Sequence, residues 1–127
     1  HGIYIQSFEK KIMILYNTTF CIDEPQEDKF VDFMKNVYIP AAYACGLYNG
    51  LLTKIRVPRE QNALNGQYTV SYALQLRASS GEAWQMFTGD VLPHLFETMD
   101  RFLSQSMQLY CTELDVIHDH DRDGNKD

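Results

Sequence analysis

Cysteine is scarce in this chain and poorly spaced for chemistry. Cys21, Cys45 and Cys111 are the only three in 127 residues. No C-x-x-C pair occurs, which excludes a zinc knuckle or a dithiol redox motif. An odd number of thiols, far apart within apolar segments, reads as buried free thiols in a reducing cytoplasm. Positive charge is also short, with 11 Lys and Arg against 17 Asp and Glu and a net charge of −6. That argues against nucleic acid as a partner, because neutralising phosphates takes clustered cations. Lys54, Arg56 and Arg59 form the only local basic group and read as a solvated strand end. No apolar run approaches the roughly 20 residues of a membrane span, so no membrane partner is expected. The opening "HGIYIQSFEKK" has neither the charged start nor the apolar core of a secretory signal, which again points to the cytoplasm. Gly-rich phosphate loops, H-E-x-x-H and G-x-S-x-G are all missing. No cofactor and no metal are expected.

What is present is a globular composition, 45% hydrophobic and 22% charged, with 8 Tyr and 7 Phe. One domain fits this length. "IMILYNTTFCI" (residues 12–22) reads as a central strand, β-branched and aromatic. "DEPQED" opens a helix: Asp23 or Glu24 can cap it, Pro25 suits the first helical position, and Glu27 and Asp28 favour the positive dipole end. Phe30, Phe33, Met34, Val37 and Ala41 follow the spacing of one buried stripe. Pro40 interrupts the pattern and is expected to bend or restart the helix. Gly46 is the natural stop.

"LYNGLLTKIRV" (residues 47–57) reads as a second strand. "PREQNALNG" is a hairpin loop with Asn65-Gly66 at its turn. In "QYTVSYALQLR", Tyr68, Val70, Tyr72, Leu74 and Leu76 alternate with small and polar residues, so one face is core. Ser79 and Glu82 have capping-box spacing for a second helix. Its stripe is Trp84, Phe87, Val91, Leu95, Met99 and Phe102, with Gly89 and Pro93 marking a break. "MQLYCTELDVI" (residues 107–117) is the last strand.

The order β-α-β-β-α-β predicts an α+β, ferredoxin-like fold: a four-stranded antiparallel sheet with both helices on one face. The opposite sheet face, with Met13, Leu15, Asn17, Thr19, Ser71 and Ala73, is too apolar in part to meet water. A second copy of the chain would cover it. Residues 1–12 read as an extension or vector remnant, 13–117 as the domain, and 118–127 as an acidic, disordered tail.

Chemistry is sparse. In the tail "HDHDRDGNKD", Asp119, Asp121, Asp123 and Gly124 match the first half of a calcium loop, but the required Glu at its twelfth position is absent. His118 and His120 sit among these aspartates, and a solvated tail is the better reading. His94 has only Glu97 at helical spacing and reads as a surface residue. Tyr38, Tyr43, Tyr48, Tyr72 and His94 form a loose polar-aromatic set. Tyr38, Tyr43, Tyr72 and His94 are the candidate ligand-binding residues. Tyr38 and Tyr43, if a bend at Pro40 brings them together, would stand near the mouth of a pocket. No catalytic residue is nominated.

"MILYNTTFCIDE", "FVDFMKNVYIPAAYACGLYNG" and "YTVSYALQLRASS" together resemble a family of small bacterial proteins known only as a domain of unknown function. The matching positions are Tyr16, Asn17, Phe30, Phe33, Tyr38, Ile39, Pro40, Gly46, Tyr72 and Gln75. The resemblance spans residues 13–117. It implies a dimeric α+β barrel, in which two ferredoxin-like sheets pack face to face. Tyr38 stands where many relatives carry His before Ile-Pro, so a base at that position is lacking here. Two functional readings remain open. One is a cytoplasmic homodimer that is structural or binds a small apolar or aromatic ligand. The other is a dimeric-barrel enzyme, resembling cofactor-free monooxygenases or isomerases, acting on a small aromatic or apolar substrate.

Overall fold

Alternation in the strands decides the sheet. The computed structural model describes residues 13–64, 66–103 and 107–124. The expected extension at residues 1–12 lies outside them. Strand β1 (Ile14–Asp23) turns Tyr16, Thr18, Phe20 and Ile22 inward, and all four are buried. Strand β4 (Gln67–Ala78) does the same with Val70, Tyr72, Leu74, Leu76 and Ala78. These two strands pair antiparallel at the centre. The edges are β2 (Leu47–Lys54), on β4, and β5 (Gln108–Asp115), on β1. The order β2-β4-β1-β5 is that of a ferredoxin-like sheet. A two-residue strand β3 (Ala63–Leu64) pairs with the start of β4 and closes the hairpin around Gly66, whose φ is +80°.

The helices lie on one face. The first runs from α1 (Glu27–Phe33) through a π-helical turn (Met34–Tyr38) into α2 (Ile39–Ala44). The second runs from α3 (Gly81–Met86) through a π-turn (Phe87–Val91) into α4 (Leu92–Leu103). Each π-turn is closed by a bond reaching five residues back, Ile39 N–H to Met34 O and Leu92 N–H to Phe87 O.

These turns correct the expected stripes. An α-helical residue advances about 100°, so one extra residue in a turn rotates everything after it by that amount. Tyr38 and Ala42 are buried where Val37 and Ala41 were expected, and Val37 is exposed. In the second helix Leu92 and Leu103 replace Val91 and Phe102 in the core, while Leu95 and Met99 are buried as expected and Phe102 is exposed. At Pro40 the backbone stays helical, with Tyr38 and Ile39 both in the right-handed region. The expected break takes the form of the π-turn before the proline. The carbonyls that Pro40 leaves without a donor belong to a turn whose Lys35, Asn36 and Val37 are exposed, so water can reach them.

Gly46 ends the first helix with φ +99°, as the sequence predicts. Ser80, not Ser79, caps the second, its Oγ accepting from Ala83 N–H at 3.0 Å. In β2 the register slips between Tyr48 and Leu51. Asn49, at φ 54°, and Gly50 form this bulge. A Cβ at Gly50 would meet Ile39, Leu76 and Tyr43 side chains at 3.2–3.3 Å, closer than ordinary contact, so any larger residue would have to push them aside.

The tail departs from expectation. Residues 120–123 form a short helix, α5 (His120–Asp123), and Arg77 Nη1 meets Asp119 Oδ2 at 2.8 Å. Val116 N–H also extends the sheet contact by donating to Met13 O at 3.0 Å. A cation on β4 and a local cap thus hold residues that composition alone marks as solvated. The thiols differ too: Cys21 and Cys45 are half-buried, and Cys111 is exposed. Cys21 lies on the sheet face away from the helices, and Cys111 on an edge strand.

Candidate functional site

The four residues nominated from sequence do not converge. Tyr43 is half-exposed on α2, and its hydroxyl accepts from Gly50 N–H at 2.9 Å, clamping the β2 bulge. Tyr72 donates to Glu27 Oε2 at 2.6 Å, and Lys54 Nζ meets the same oxygen at 2.6 Å. Lys54, then Tyr72, hold the Glu27 carboxyl below its usual range. Burial, then the Glu27 carboxylate, pushes Tyr72 far above the ordinary phenol value. His94 is exposed on α4. Tyr38 and the ring of Tyr72 both point into the core, and only Tyr38 is fully buried.

An aromatic chain links Tyr38 to Tyr72. Tyr38 stands edge-on to Phe20 at 6.0 Å, Phe20 lies 5.1 Å from Phe30, and Phe30 lies 5.2 Å from Tyr72. Phe87 and Phe96 flank the Tyr38 ring at 6.2 and 6.4 Å. The two tyrosines therefore occupy opposite ends of the first layer of core.

Around Tyr38 lies a second group, which the sequence reading missed. The Tyr38 hydroxyl is fully buried and has the Thr18 hydroxyl as its hydrogen-bonding neighbour, at a geometry short of a well-formed bond. Burial above all, then Tyr16 and Cys111, pushes its pKa well above the usual value, while neighbouring Thr18 acts the other way. Thr18 is the one polar side chain among the described residues of the buried core. Its Oγ1 donates to Cys111 Sγ at 3.8 Å. Burial, then the Cys111 thiol, raises Tyr16 as well. Tyr16, Thr18, Tyr38 and Cys111 thus face one another on the helix side of the sheet. Thr18 was legible, since it occupies an inward position between Tyr16 and Phe20. Cys111 was not, because only the β1–β5 register, Thr18 against Cys111, brings it there.

The chain's surface holds a different feature. Lys54, Ile55, Arg56, Val57 and Pro58 line an open groove of about 600 Å³. Two nearby cations are already neutralised: Arg59 makes a fork to Glu24 at 3.0 and 2.9 Å and stacks 3.6 Å over Tyr68, and Lys54 binds Glu27. That leaves little net positive field, in keeping with a solvated strand end. Among the described residues no three His, Cys, Asp or Glu side chains gather as metal ligands, and no helix is long and apolar enough to cross a membrane.

The chain belongs to a family described as a domain of unknown function (DUF4286), whose model matches residues 13–117. No curated protein matches it. Its fold is similar to that of solved structures at low identity. A dimeric ferredoxin-like protein from an uncultured marine organism superposes with a TM-score of 0.53 at 9% identity, covering 87% of this chain and 99% of that one. A putative antibiotic biosynthesis monooxygenase from Bacillus cereus gives 0.55 at 14%, covering 85% and 96%. A second dimeric ferredoxin-like protein from an uncultured marine organism gives 0.52 at 14%, covering 91% and 96%. At such identities the likeness is one of fold.

Proposed function

We propose that this domain works as a cytoplasmic homodimer, joined through the open face of its sheet, and that it binds a small apolar or aromatic ligand. The observation that carries the dimer is the chemistry of that face. Direct pairing places Leu51, Gln75, Asn17 and Thr112 in one row, and Thr53, Ala73, Thr19 and Tyr110 in the next. Leu15 and Leu114 pair in a third. Tyr110 is 72% exposed, Leu51 55% and Leu114 42%. Exposed Leu and Tyr side chains set among small polar residues make a face that a second copy can cover. Two similar solved structures are described as dimeric, which supports the same reading. Sedimentation at about 20 μM is expected to give a dimer, and Tyr110→Lys with Leu114→Lys a folded monomer. A monomeric parent chain, or a double variant that still dimerises, refutes the assignment.

The second reading, a dimeric-barrel enzyme, draws support from one observation: a thiol and three hydroxyls meeting beside aromatic rings. The fold-level likeness to a protein described as a putative monooxygenase is compatible with it. The binding reading is preferred, because Tyr38 and Tyr16 are held neutral and no described cation or imidazole stands among them to activate the thiol.

A further inference from the structure

The segment after β5 leaves the sheet and comes back to it. Val116 N–H donates to Met13 O at 3.0 Å, and three residues later Asp119 meets Arg77 at 2.8 Å. Arg77 belongs to the third row of the open face, where Tyr48, Arg77, Leu15 and Leu114 lie side by side. Beyond that contact Arg122 donates to Met13 Sδ at 3.0 Å and forks to Asp123 at 2.6 and 2.8 Å. Asp123 in turn accepts from Asp119 N–H at 3.0 Å. Residues 118–123 are thus seated at one end of the face that the proposed dimer buries. They frame this face without shutting it, since Leu51, Tyr110 and Leu114 stay exposed.

Two features of this corner suit burial. Arg77 is the one charged residue in the three rows. A guanidinium taken into an interface costs heavily unless a carboxylate goes with it. Asp119 supplies that carboxylate from the same chain, and the two side chains are already only 22% and 21% exposed. The other feature is Ile117. It is 90% exposed, yet it stands between the Val116 and Asp119 anchors on a segment tied at both ends. An isoleucine presented in this way adds little to its own fold, and a second copy arriving over Leu114 meets it.

We infer that residues 117–123 are part of the dimer interface: Asp119 neutralises Arg77 so that the sheet face can be buried, and Ile117 makes contact with the second copy. The inference rests on the sheet-face dimer proposed above and is independent of any ligand. In a two-fold interface each residue acts twice, so a change at either position is doubled in the dimer.

Sedimentation of the full chain and its point variants over a range of concentrations tests it. Asp119→Asn should raise the dimer dissociation constant about a hundredfold, roughly tenfold for each guanidinium left unpaired. Adding Arg77→Met to Asp119→Asn removes the stranded charge and should bring the constant back to within about threefold of the parent value. Ile117→Ser should weaken the dimer several-fold. Its melting temperature, measured on protein diluted until it is monomeric, should match that of the parent, because Ile117 is exposed in the single chain. In a dimeric parent, an unchanged constant in Asp119→Asn overturns the Arg77 argument, and an unchanged constant in Ile117→Ser overturns the contact. Either result leaves the sheet-face dimer standing. A double variant as weak as Asp119→Asn alone means that the substitution merely loosened the segment, and it also overturns the Arg77 argument. A monomeric parent overturns the dimer and this inference with it.

Discussion

The two helical layers follow one plan. Each breaks its α-helix with a five-residue π-turn, Met34–Tyr38 and Phe87–Val91, and each resumes with an apolar-Pro step, Ile39-Pro40 and Leu92-Pro93. They differ in the residue that closes the turn. In the first it is Tyr38, fully buried with its hydroxyl facing Thr18; in the second it is Val91, half-buried at the margin of the core. A π-turn used only to keep a helix on a twisted sheet needs nothing more than Val there. The first copy buries a hydroxyl where the second needs only Val.

The strongest way to break the comparison is to change helical register. Deleting Asp32, before the first π-turn, rotates Phe30 against Tyr38 by about 100° and sets apolar residues facing water. Two or three misplaced large side chains at about 2–5 kcal/mol each exceed the stability of most domains. Circular dichroism is expected to show an unfolded chain. Deleting Val37 removes the extra residue of the π-turn itself and leaves Tyr38 and Ala42 at ordinary α-helical positions over the sheet. That variant should fold, with a lower melting temperature. Deleting Glu97 and Asp90 should repeat the contrast in the second helix. If Val37 and Asp32 deletions are equally damaging, the π-turn is not a register insertion.

Much of the fold was legible in these residues, and the limits have a physical cause. The alternation in β1 and β4 identifies the core face, and Gly46 marks the end of the first helix, because both signals are local. The π-turns escaped notice because a stripe of Phe30, Phe33, Met34, Val37 and Ala41 fits an ideal helix as well as the true set fits a bulged one. Pro40 and Pro93 flagged something irregular without saying which residues turn inward. The polar group around Tyr38 was only half readable, since Thr18 belongs to a local pattern and Cys111 arrives through a pairing ninety-three residues away. The helical turn at His120–Asp123 was hidden for the same reason: it depends on Arg77 reaching Asp119.

A smaller effect separates the two ends of the aromatic chain. Tyr72→Phe removes a hydroxyl that donates to Glu27, and should lower stability by about 1 kcal/mol at neutral pH. Tyr38→Phe removes one that faces only Thr18, without a well-formed bond, and should leave stability unchanged or raise it by up to about 1 kcal/mol. Their pH dependence differs as well. Glu27 has a folded pKa below its ordinary value of 4.5, held there by Lys54 and then Tyr72. Its contribution is therefore present above about pH 4.5 and is lost as pH falls through the depressed folded value. The cost of Tyr72→Phe should shrink over that acid range in thermal melts, whereas the Tyr38→Phe difference should stay flat. A Tyr38→Phe variant as destabilised as Tyr72→Phe would mean that the Tyr38 hydroxyl is satisfied in solution.

The smallest expected effect concerns the prolines that the two layers share. If the missing N–H at Pro40 causes the π-turn, Pro40→Ala should restore an ordinary α-helix and rotate Tyr38 outward. If packing causes it, Ala will accept the same backbone, because burying Tyr38, Ala42 and the rings around them outweighs one regained hydrogen bond of about 1 kcal/mol. The second case is expected. Pro40 and Pro93 are both exposed, so neither ring contributes much core. Replacing either with Ala loses some restriction of the unfolded chain, about 0.4–1 kcal/mol, and gains helix propensity of opposite sign. Because each proline stands in the first turn after a π-turn, where its helix penalty is small, the two terms nearly cancel, and melting temperatures should move by only a few degrees. NMR decides between the causes without relying on that small number. Ring-current shifts of Tyr38 against Phe20 and Phe87 should persist in Pro40→Ala, and those of Leu92 against its neighbours in Pro93→Ala. Loss of the Tyr38 pattern alone would make the proline the device that turns this tyrosine toward Thr18 and Cys111, and would leave the second copy as the one shaped by packing.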